Sequence, residues 1–80
     1  MDIDFARHAV RVAFRAGGEL QELLQLSKER LSPEEHKDFG LGIADAIYGI
    51  AVAVTNKALA EHPELKAEIE ADLAEHGRFR

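Results

Sequence analysis

The sequence predicts an all-α fold: an antiparallel hairpin of two long helices with a shorter third helix packed across it. Three observations carry this expectation. Ala, Leu and Glu dominate, and no short window alternates cleanly between β-branched or aromatic residues and polar ones. Apolar residues recur instead at three and four positions. Two proline-centred breaks, Ser32-Pro33-Glu34-Glu35 and His62-Pro63-Glu64, divide the chain into three segments.

The first helix is expected over about residues 3–30. Asp2 or Asp4 can cap its first turn. Ile3, Ala6, Val10, Ala13, Gly17, Leu20 and Leu24 form its core stripe, which Ala9, Phe14 and Leu23 broaden. Arg7, Arg11, Arg15, Glu19 and Glu22 take the other side. The Gly17-Gly18 pair costs about 1 kcal/mol per glycine relative to alanine, so it is expected to mark a kink or a close helix crossing.

Ser32 opens the second helix, expected over about 33–61. Its hydroxyl, proline at the first helical position and Glu35 three residues on make a capping box. A connection this short makes the two helices antiparallel neighbours. From Phe39 to Val54 the second helix is apolar nearly all round, interrupted by Asp45. One stripe holds Phe39, Ile43, Ala46, Ile47, Ile50 and Val54, and another Leu41, Ala44, Tyr48, Ala51 and Leu59. The third holds Asp38, Gly42, Asp45, Gly49, Ala53 and Asn56. The third helix, about 63–76, carries a narrow Leu65/Ile69/Leu73 stripe and is expected to dock weakly or on a second subunit. Gly77 is its expected stop. Arg78-Phe79-Arg80 reads as a short tail.

Eighty residues suffice for one domain with a thin core. Without cysteine there is no disulfide, thiol nucleophile or Cys-bound metal. The net charge of −5 argues against a nucleic-acid partner, which requires a basic footprint. No secretory leader is visible at the acidic N-terminus. The 16-residue apolar run falls short of the roughly 20 residues that span a bilayer, so no integral membrane segment and a cytoplasmic location are expected.

Candidate chemistry is sparse. Arg7, Arg11 and Arg15 share one face and can grip an acidic protein partner. Asp45 in its apolar run is expected to pair with Arg15 or Arg11 across the hairpin. His8, His36, His62 and His76 lie near helix ends; Asp4/His8 and Asp72/His76 stand at i, i+4 and could together offer two carboxylates and two imidazoles, but no Glu-x-x-His or His-Glu-x-x-His motif is present, so metal and cofactor are expected to be none. Besides Tyr48, only Ser27, Ser32 and Thr55 carry hydroxyls, and no catalytic motif is present, so no enzyme activity is expected.

The second helix has more apolar surface than one short chain can cover. At about 25 cal/mol per Å², one wet face would forfeit several kcal/mol, comparable to the stability of a small domain. The expectation is therefore a non-catalytic protein–protein interaction module, a small acidic regulator, inhibitor or assembly subunit. It would form a homo-oligomer, most simply a dimer, through Gly42, Asp45, Tyr48, Gly49, Val52 and Ala53. Two alternatives are a ligand- or metal-binding bundle using Asp45, Tyr48 and the histidines, and peripheral membrane binding through residues 5–16.

Overall fold

The computed structural model describes residues 1–77, and every regular element among them is helical. The order is α1 (Ile3–Arg30), α2 (Pro33–Ile50), a π segment (Ala51–Thr55), α3 (Asn56–Glu61) and α4 (Leu65–His76). The tail from Arg78 lies outside the described residues.

Local chemistry fixes the ends. Asp2 caps α1, its Oδ1 accepting from the Phe5 N–H at 2.8 Å. At Ser32 both halves of the capping box form, each at 3.1 Å. Hydrogen bonding to the Ser32 backbone N–H holds the Glu35 carboxylate below its usual range. Pro63 and Glu64 form a turn instead of a first helical turn, so the last helix starts two residues later than expected, at Leu65. Gly77 closes α4 with a left-handed φ of 73°, its N–H bonded to the Leu73 carbonyl.

α2, the π segment and α3 run on as one helix, Pro33–Glu61. Inside the π segment the Asn56 N–H bonds five residues back, to the Ala51 carbonyl. The wider turn keeps Ile50, Val54 and Ala58, spaced by four, on the side facing α1.

The core sits at one end of the molecule. Ala6 and Val10 of α1, Ala58 of α3, and Leu65 and Ile69 of α4 are buried together, with Ile3, Phe14 and Leu59 against them. The last helix docks only at its start, through Leu65 and Ile69, whereas Leu73, the third residue of its stripe, is exposed. Leu65 has no accessible surface and is, with Val10, among the largest fully buried side chains. The turn at Pro63 returns the chain over the start of α1, where Arg7 Nε meets Glu68 Oε1 at 2.7 Å. Elsewhere packing is thin. Ile43 is the only buried residue of α2, and Leu23, expected in the core, is exposed.

The Cα envelope is 44 × 25 × 14 Å, an elongated shape. The radius of gyration, 14.7 Å, exceeds the roughly 12 Å of a compact chain of this length.

Ser32→Ala is expected to cost about 1 kcal/mol in urea unfolding followed by circular dichroism. Leu65→Ala is expected to cost about 2–5 kcal/mol. A Leu65→Ala loss no larger than that of Ser32→Ala would contradict the placement of the core.

Candidate functional site

The exposed apolar middle of α2 is the most unusual surface on the molecule. Tyr48 is 72% exposed and Leu41 62%, and Phe39 and Val52 are exposed beside them. The helix Pro33–Glu61 is long and apolar enough to cross a membrane by length and composition, with a window of mean hydropathy 1.4 that is almost wholly uncovered. The apolar-run count made α2 too short for this. Its window extends past the run because few flanking residues are charged.

The face of α2 turned toward α1 is the other one. Gly40 meets Leu24 there: a Cβ at Gly40 would stand 3.4 Å from Leu24 Cδ1. Ile43 is buried, and Ile47, Ile50 and Val54 are half-buried. This orientation overturns two expectations. Asp45 points away from α1 and is exposed, with no ion pair to Arg15 or Arg11 among the described contacts. Gly17-Gly18 mark no close helix crossing, because a Cβ at either would touch nothing within 4 Å. Of the residues assigned to self-association, Gly42, Asp45, Tyr48, Gly49, Val52 and Ala53 are all exposed.

The arginine stripe divides. Arg7 is engaged, with Nε on Glu68 and Nη1 on Asp4 at 2.9 Å, and the Glu68 hydrogen bond raises its pKa further. Arg11 and Arg15 line an open groove of about 830 Å³ between α1, the π segment and α4. Gly17, Gly18, Glu19, Glu22, Ile47 and Leu73 also line it, so its charge is mixed. A second groove, of about 350 Å³, opens elsewhere along the α1–α2 seam. Phe5, Ala9, Val12, Ala16, Ile50 and Val54 line it, with His8.

The histidines do not converge. Among the described residues no group of three or more His, Cys, Asp or Glu side chains can hold a metal ion. His36 Nδ1 lies 2.8 Å from the buried Ser27 Oγ, a Ser–His contact that the sequence reading missed. The two residues flank the Ser32 turn, which was the available signal. Ser27 Oγ–H also donates to the Leu24 carbonyl at 2.6 Å.

His62 holds the N-terminus. Its Nε2 donates to the Met1 carbonyl at 2.8 Å, and its Nδ1 lies 3.3 Å from Glu64 Oε1. The Met1 ammonium bonds Glu61 Oε1 at 2.7 Å. The hydrogen bond to Met1 raises the His62 pKa, and Glu64 adds to it. The Glu61 carboxylate is lowered and the Met1 amine raised by their mutual hydrogen bond.

No protein-family model, curated protein or solved structure matches the chain.

The clasp has a pH signature. A raised His62 pKa stabilises the fold fully below the ordinary value of 6.5, and that contribution is lost as pH climbs through the folded value. Thermal stability is expected to fall as pH rises above 6.5, and His62→Gln to flatten that slope. Parallel slopes in wild type and variant would contradict the clasp.

Proposed function

We propose that the chain is a non-catalytic protein–protein interaction module, a small acidic helical regulator, inhibitor or assembly subunit that self-associates through α2. The observation that carries this reading is the uncovered apolar middle of α2, where Leu41, Tyr48 and Val52 stand in water. Contiguous exposed apolar surface on a small domain marks an interaction site. The proposed protomer is an antiparallel hairpin with α4 across its open end. Two pairings support it: Ser27 with His36 and Leu24 with Gly40. Oligomerisation completes the hairpin into a bundle.

Absence of catalysis is part of the proposal. Ser32 is used as a cap, and the Ser27 hydroxyl is bonded to the Leu24 carbonyl. No cofactor is invoked. A further protein partner would meet the acidic exterior or Arg15, with Arg7 already held by Glu68 and Asp4. A cytoplasmic location and the absence of a nucleic-acid partner belong to the same reading.

A second reading, association with lipid, is favoured by the length and hydropathy of Pro33–Glu61. Asp45 in the middle of that helix weighs against insertion, since an acid at the bilayer centre costs about 2.5–3.5 kcal/mol on insertion scales.

Light scattering on a sizing column, across a wide concentration range, separates the readings. The expected result is a stable dimer or larger species in detergent-free buffer. A monomer throughout that sediments with phospholipid vesicles would replace self-association with lipid binding.

A further inference from the structure

We propose that two copies of this chain lay their second helices side by side and antiparallel, about a two-fold axis between Asp45 and Tyr48, each Tyr48 hydroxyl donating to the Asp45 carboxylate of the other copy. The proposal rests on the self-association through α2 argued above. It adds the direction, the register and the polar pair that sets them.

The position of the seam is the first argument. Asp38, Leu41, Asp45, Tyr48 and Val52 recur at alternating steps of three and four, the spacing of a coiled-coil seam. All five are exposed. Ile43, Ile47 and Ile50, which are buried or half-buried toward α1, stand roughly half a turn away on the same helix. The seam is therefore the side of α2 that its own chain leaves uncovered.

The two carboxylates in that seam decide what covers it. An all-apolar partner surface would strip Asp38 and Asp45 of water and supply no donor. A parallel copy would set each residue against itself, Asp38 on Asp38 and Asp45 on Asp45, with like charges in contact. An antiparallel copy turned about the midpoint of Asp45 and Tyr48 avoids both faults. It sets Asp45 opposite Tyr48 and Leu41 opposite Val52, and it brings Asp38 level with Thr55 and Asn56. The central carboxylate then meets a hydroxyl, the apolar residues meet each other, and the two-fold axis repeats both pairings. The seam carries its own donor for its own acid, which is why the second copy is the fitting occupant. Gly42 and Gly49 flank the seam, and a Cβ at either would touch nothing within 4 Å in one copy. In the antiparallel pair Gly42 comes alongside the other copy's Gly49, and the two helices can approach closely.

The test uses the full chain, which has no cysteine, so an introduced one reports only its own neighbours. A disulfide needs Cα atoms within about 7 Å. Leu41 and Val52 lie roughly 16 Å apart along the helix. Both are exposed, so cysteine at either leaves a single copy folded, with circular dichroism confirming helix content. On mild oxidation Leu41→Cys mixed with Val52→Cys is expected to cross-link, and neither variant alone. Sedimentation equilibrium tests the polar pair. Tyr48→Phe keeps the apolar area and removes the donor, and is expected to weaken dimerisation at least about tenfold. Adding Asp45→Leu to Tyr48→Phe is expected to restore wild-type strength or better, because no buried acid is then left without a partner. Leu41→Cys cross-linking to itself, Tyr48→Phe dimerising as tightly as wild type, or a dimer in which the mixed pair forms no bridge each overturns this proposal and leaves self-association standing. A wild-type monomer at every concentration overturns both.

Discussion

Two helices side by side leave two faces open and cannot enclose a core between them. Stable domains stack at least two layers, because a helix can hide its apolar stripe only against something else. Here α1 and α2 lie side by side, and the core forms where α4 packs against them, at one end. The rest of the structure follows from that constraint. The buried residues gather where three elements meet, and the apolar middle of α2 is left open where only two do.

Polar contacts hold the ends of the layer where apolar packing is scarce. The capping box at Ser32 and the Ser27–His36 bond secure the turn. The Met1 ammonium on Glu61 and the His62 ring on the Met1 carbonyl secure the opposite end. Arg7 between Asp4 and Glu68 ties α4 to α1. All are at least partly solvated, so each contributes modestly to stability and chiefly fixes geometry. The glycines contribute differently. Gly40 admits Leu24, whereas Gly17, Gly18, Gly42 and Gly49 face open space. Within one copy their cost to the helix is offset by no close contact.

Legibility in the sequence tracked the range of the interaction. The all-α fold and the ends at Arg30, Pro33, Glu61 and His76 could be read because capping and proline chemistry act within a few residues. Facing was not legible in α2. A helix apolar on nearly every side gives periodicity no preferred direction, so Asp45 was placed against Arg15 when it points outward. In α1 two apolar seams run side by side, and Leu23 was assigned to the inner one when it belongs to the outer. The burial of Leu65 depends on how sharply the chain returns after His62, which propensity does not encode. The His62–Met1 contact joins residues 61 apart and left no local trace. Of the candidate surface, the residues of α2 were legible because their composition is anomalous.

The central claim is that this layer is completed by another copy of itself. If so, folding and association are one equilibrium, and the folded state gains stability by mass action. The most direct measurement is the thermal midpoint by circular dichroism over about three decades of protein concentration. The account predicts a midpoint that rises steadily with the logarithm of concentration. A midpoint independent of concentration would contradict it and would mean that a single copy is the complete folding unit.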